Sequence, residues 1–159
     1  MRLRPYPWGM ASDIATRADC ERLVREFYTR AFDDEIIGWL FTDIAHLDLE
    51  AHVPQITSFW ETILLGERTY FGSPFPPHAD LHAKVQLRSG HFGRWLAIWQ
   101  GTVDDLFEGE KANLAKAHAM RVAQAFYTRL QSFPSPADEH RPVEARSLPI
   151  TQHGPGSGA

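Results

Sequence analysis

The sequence predicts an all-α domain. Four segments place apolar residues at spacings of three and four, and no alternating apolar and polar run is long enough for a strand. Glycine and proline fall between those segments rather than inside a strand pattern, and no internal repeat is present. A chain of 159 residues supports one core of this kind. Its ends differ from its middle: residues 1–10 carry two Pro, a Gly and two Arg with no period, and residues 133–159 are rich in Pro, Gly and Ser. Both read as tails, the second as disordered, leaving a functional domain over 11–132.

The first helix is expected over about Thr16 to Phe32, with Thr16 as N-cap and Leu23, Val24, Phe27, Tyr28 and Ala31 on one stripe. A short turn around Ile36 to Phe41 follows. The second helix, about Leu47 to Leu65, carries His52, Ile56, Phe59, Trp60 and Ile63 on one face and is stopped by Gly66. Gly72, Pro74, Pro76 and Pro77 then confine any helix before Ser89 to a short piece starting near Pro76, and that piece carries His78 and His82. From Ser89 to Phe107, Phe92, Trp95, Leu96, Trp99, Val103 and Leu106 form an amphipathic helix with Gly109 as its stop. The last helix, about Lys111 to Leu130, turns Leu114, Ala115, Ala119, Val122, Ala123, Phe126, Tyr127 and Leu130 inward. The interval between Gly66 and Ser89 exceeds the loops of about 2 to 8 residues that join helices in ordinary bundles, and long insertions of this sort are usually functional.

Charge and composition narrow the function classes. Sixteen Lys and Arg against 20 Asp and Glu give a formal net charge of −4, with no polybasic footprint for nucleic acid or an anionic membrane. A single cysteine, Cys20, closes no intrachain disulfide and fits a reducing, cytoplasmic setting. No secretory signal and no apolar run of membrane-spanning length is expected. Five Trp, ten Phe, four Tyr and eight His suit a pocket for a large, flat, apolar ligand, although an aromatic core with surface histidines gives the same counts.

His52 sits on an otherwise apolar face, where it reads alone as a rim histidine. Tyr28 and Trp95 lie on apolar stripes as well, and their hydroxyl and indole N–H need partners once buried. Three polar tips in one apolar space are costly unless a bound diatomic or an ordered water satisfies them. His78 sits where a proximal haem ligand could be, while His78 and His82, at i and i+4, also have the spacing of a zinc pair without a third or fourth ligand.

The order and spacing of several fragments resemble the truncated haemoglobins, specifically their third group, over about Ile14 to Leu130. These are Phe27-Tyr28, Ile37-Gly38-x-x-Phe41, His52-x-x-x-Ile56-x-x-Phe59-Trp60, Leu64-Leu65-Gly66, Tyr70-x-Gly72-x-Pro74-x-x-x-His78 and His91-Phe92-x-x-Trp95-Leu96. The resemblance implies a globin-like, two-over-two helical sandwich around haem b. It makes His78 the iron ligand, Tyr28 and Trp95 the distal hydrogen-bond donors, and His52 the distal gate. Phe41, Ile56, Phe59, Trp60 and Tyr70 would line the haem. Trp39 stands where relatives often have proline, and Pro76 and Pro77 exceed the usual number, so the geometry near the proximal helix is expected to differ. Arg68, Tyr70, His91 and Arg94 are propionate candidates by their nearness to the pocket segments.

Binding of oxygen and related diatomic gases is the leading function. Two donors favour slow oxygen release, which suits storage, sensing or redox chemistry better than transport. The alternatives are a haem enzyme that turns over nitric oxide or peroxide with an unidentified reductase, and a haem-free helical interaction domain. No G-x-G-x-x-G follows a strand, so the chain carries no nicotinamide or flavin motif of its own.

Overall fold

The computed structural model describes residues 11–136. Among these, five α-helices and one π turn form, with no strand. Helix α1 spans Arg17–Phe32, α2 Leu49–Leu65, α3 Phe75–Lys84, α4 Ser89–Leu106 and α5 Glu110–Leu130. The all-α expectation holds, and each expected helix is present with ends shifted by at most two residues.

The ends follow local chemistry. Thr16 and Asp19 form a reciprocal capping box that starts α1, the hydroxyl accepting from the Asp19 amide at 3.2 Å and the carboxylate from the Thr16 amide at 3.1 Å. Helix α2 starts at Leu49 rather than Leu47 because the Asp48 side chain accepts from the Ala51 amide, while the Leu47 amide turns back to the Phe41 carbonyl. Gly66 ends it in the left-handed region at φ 74°. The turn expected at Ile36 to Phe41 continues as a π turn over Leu40–Ile44. Gly38 is required at its entry, since a Cβ there would run into the Phe32 carbonyl oxygen.

Helix α1 packs on α2 and on α4, and α4 packs on α5, so two helix pairs are joined through α1 and α4. Phe27 lies between the pairs, edge-on to Trp95 at 5.7 Å and to Trp99 at 5.4 Å. Trp60 of α2 stacks on Trp99 of α4 with centroids 4.5 Å apart. The Trp99 indole N–H donates to the Ala115 carbonyl, which ties α4 to α5. One cap crosses the fold: Asp13, upstream of α1, accepts from the Lys111 and Ala112 amides at 2.9 Å each and so opens α5. Partial burial resists the Asp13 charge, but these amides outweigh it and hold its carboxyl below the usual range.

Packed residues continue past Ser132. Phe133, assigned by composition to the tail, packs its ring 5.2 Å from Phe75, and Ser135 is buried. An aromatic side chain that finds a pocket overrides the Pro and Ser around it. The expected tails over 1–10 and 137–159 lie outside the described residues. Among the described residues, no helix is long and apolar enough to cross a membrane.

Candidate functional site

Helix α2 carries two apolar stripes where periodicity alone suggests one. Val53, Thr57, Trp60 and Leu64 are buried against the rest of the core, whereas His52, Ile56, Phe59 and Ile63 form a neighbouring row that is only half-buried. Trp60, expected in the second row, belongs to the first by burial. Half-buried apolar residues beside a packed stripe leave an apolar face that the described residues cover only in part.

Next to His52 of that row stands the end of α1. The Tyr28 side chain is buried, and its hydroxyl lies 2.8 Å from Nε2 of His52. Burial pushes the Tyr28 phenol well above its ordinary value, so it stays protonated. Burial, followed by the nearness of His78, holds His52 below the usual histidine range, so it stays neutral at pH 7. Phe41, from the π turn, meets the Tyr28 ring edge-on at 5.9 Å. Trp95, one turn before Trp99 on α4, is half-buried with its indole N–H unpaired among the described residues.

His78 faces this group from α3. Its Nδ1 is 2.7 Å from the Pro74 carbonyl. A carbonyl only accepts, so Nδ1 carries the proton and Nε2 keeps its lone pair. Nε2 has no hydrogen bond among the described residues. Burial lowers the affinity of His78 for a second proton, against the smaller opposing effect of the Pro74 carbonyl. A neutral imidazole with one nitrogen anchored and the other bare is the form that ligates a transition metal.

His82 behaves differently. Buried on the same helix, it accepts the Leu87 amide at Nδ1 from 3.0 Å, closing the turn after α3. It is a structural residue, and no group of three or more His, Cys, Asp or Glu side chains able to hold a metal ion occurs among the described residues. The described residues therefore supply no further ligands that would make His78 and His82 a zinc pair.

The propionate candidates separate. Tyr70 packs edge-on to Phe59 at 5.4 Å, beside the half-buried row. Nδ1 of His91 accepts the Arg88 amide, and Arg94 is committed to Asp34, with Nε at 2.8 Å and Nη2 at 2.6 Å from one carboxylate oxygen. Arg68 is exposed. Two further residues of α5 approach this group. His118 of α5 lies 6.0 Å from Phe59 and 5.8 Å from Trp60, and Phe126 lies 4.9 Å from His78. Their signal was the row Leu114, His118, Val122 and Phe126 at intervals of four, half-buried and parallel to the buried alanines of α5.

The chemistry available is thus one bare imidazole nitrogen, one hydroxyl and one indole N–H near a half-buried apolar row. Comparison with known proteins agrees with that arrangement. A family model described as bacterial-like globin matches residues 12–128. A curated group 3 truncated haemoglobin, Ctb, of Campylobacter jejuni is 29% identical over 127 residues, covering 78% of this chain and 98% of its own. The crystal structure of the group III truncated haemoglobin from Campylobacter jejuni superposes with a TM-score of 0.67 at 24% identity, over 76% of this chain and 95% of that one.

Proposed function

The chain belongs to the bacterial-like globins, a family whose members bind diatomic gases at a haem, and from that premise we propose that it holds haem b through His78 and binds oxygen and related diatomics beside Tyr28, His52 and Trp95. The observation that carries this reading is the asymmetry of His78: Nδ1–H is spent on the Pro74 carbonyl at 2.7 Å, and Nε2 is left with a lone pair and no partner among the described residues.

The residues fit the group. Ile56, Phe59 and Ile63 offer an apolar wall that stops short of full burial, and the unpaired Trp95 indole is a donor awaiting an acceptor. Haem supplies an iron centre with a position open to a diatomic ligand. The chain does the rest. Pro74 orients the His78 imidazole and fixes its tautomer. Tyr28 has one proton to give, and whether His52 accepts that proton or donates its own to the hydroxyl decides if Tyr28 is free to donate into the pocket. Trp95 donates only, so its contribution does not depend on the tautomer. Both donors favour the partial negative charge that develops on a polar diatomic, and the dry surroundings strengthen them.

The test is an absorption spectrum of the purified protein as isolated, after reduction, and under carbon monoxide. A Soret band that shifts at each step supports the reading; no band after adding haem sinks it. Rates with nitric oxide or peroxide, given an electron donor, then distinguish a ligand binder from an enzyme on the same site.

A further inference from the structure

Granted His78 as the iron ligand, as proposed above, we infer that Phe126 is a positioning residue for it, and that Arg129 and Phe75 hold Phe126 in place. One hydrogen bond, from Nδ1 to the Pro74 carbonyl, constrains the His78 ring. With the covalent link at Cγ, this bond holds the Nδ1 edge of the ring and fixes its tautomer, while the opposite edge, which carries Nε2, has no hydrogen bond among the described residues. The Phe126 ring supplies the missing restraint, with its centroid 4.9 Å from the imidazole and its plane inclined at 60°.

Phe126 is itself fixed. Its ring meets Phe75 edge-on at 5.3 Å, and Phe75, the residue after Pro74, is buried. Phe75 also meets Phe133 at 5.2 Å, and the Arg129 guanidinium carbon sits 3.9 Å above the Phe75 ring and 5.9 Å from that of Phe133. Helix α3 packs mainly on α5 and the π turn, so this cluster at the end of α5 is what seats the short helix and its histidine. The backbone acceptor and the aromatic restraint converge on one ring: the Pro74 carbonyl and Phe75 are consecutive, and Phe126 touches both Phe75 and His78. Orientation of the axial imidazole is one of the means by which a protein tunes a haem.

The test compares Phe126→Leu, Phe126→Tyr, Arg129→Met and Leu130→Ala in the haem-loaded, full-length protein. The first readout is the iron–histidine stretching band in the resonance Raman spectrum of the reduced form, and the second is the rate of haem loss to an excess of a haem-scavenging apoprotein. Phe126→Leu is expected to shift or broaden the band and to speed haem loss by about two- to tenfold, the range an aromatic pair represents. Phe126→Tyr, which keeps the ring, leaves the band in place. Arg129→Met, which keeps both rings, shifts it in the same direction by less. Leu130 is fully buried one turn further along α5, so Leu130→Ala is the control for general packing loss, expected to lower the melting temperature without moving the band. An unchanged band in Phe126→Leu, or an equal shift in Leu130→Ala, overturns the positioning role while leaving haem binding intact. A wild-type protein that takes up no haem overturns both. Should Phe126→Leu retain no haem, the Arg129→Met and Leu130→Ala bands still decide between a specific and a general effect.

Discussion

The Tyr28 hydroxyl and Nε2 of His52 lie 2.8 Å apart, joining the end of α1 to the start of α2. Both groups stay uncharged at pH 7, because burial raises the phenol and lowers the imidazole. The pair is a neutral hydrogen bond, and its direction is set by which His52 nitrogen carries the proton.

Tyr28→Phe keeps the ring contacts with Phe27, Phe32 and Phe41 and removes only the hydroxyl. A donor contributing about 1.4 kcal/mol to the bound ligand corresponds to a tenfold faster release. The oxygen dissociation rate, by stopped flow, is therefore expected to rise about tenfold or more. An unchanged rate would transfer the main role to the Trp95 indole.

The two histidines of α3 part under substitution. His78→Ala is expected to abolish or severely weaken haem retention. His82→Ala leaves the haem spectrum unaltered but strands the buried Leu87 amide, at a cost of about 1–3 kcal/mol in urea unfolding. Loss of the haem spectrum in His82→Ala, with His78→Ala normal, would exchange their assignments.

How far these roles were legible in the sequence depends on the kind of interaction. Thr16 and Gly66 announce helix ends by local chemistry, whereas Gly109, expected to stop α4, is the N-cap of α5 while α4 ends at the Phe107 C-cap; the order of Tyr28, His52, His78 and Trp95 carries the family resemblance. The Asp13 cap on α5 spans 98 residues to Lys111 and has no local signature. The second row of α2 is hidden because a half-buried stripe and one facing the core have the same period. Phe126 reads as core for the same reason: only the fold reveals that its neighbour is His78.

Stability is expected to fall with acidification in two separate windows. His52, His91 and His118 are each held below 6.5, first by burial and then by His78, Arg88 and Arg121 respectively. The unfolded chain binds their protons near pH 6.5 and the folded chain resists until lower pH. Unfolding is thus favoured as pH falls below about 6.5, and the loss levels off once the folded sites are also protonated. Asp34, held below 3.8 by the Arg94 guanidinium, acts later: its contribution is present above that value and is lost as pH falls through its folded pKa. Urea midpoints at about pH 7.5 and 5.5 isolate the histidine window. Equal midpoints would show that these rings take up protons as readily folded as unfolded.

The Asp34–Arg94 pair links the corner after α1 to the turn of α4 that bears Trp95, so it bears on the positions of Tyr28 and Trp95. Its two sides are unequal: the Asp34 side chain is 6% exposed and Arg94 is 45% exposed. Asp34 also accepts the Ile36 and Ile37 amides, at 2.9 and 3.1 Å. Removing Arg94 leaves a buried carboxylate that retains two amide donors, so Arg94→Met is expected to cost about 1–2 kcal/mol. Removing Asp34 frees the arginine to water but strands two amides at the entry to the π turn, so Asp34→Ala is expected to cost more, about 2–4 kcal/mol. The double variant separates the pair from the turn. A coupling of about 1 kcal/mol or more means that the ion pair itself holds α4 to the corner, whereas strictly additive losses mean that Asp34 acts through the turn amides alone.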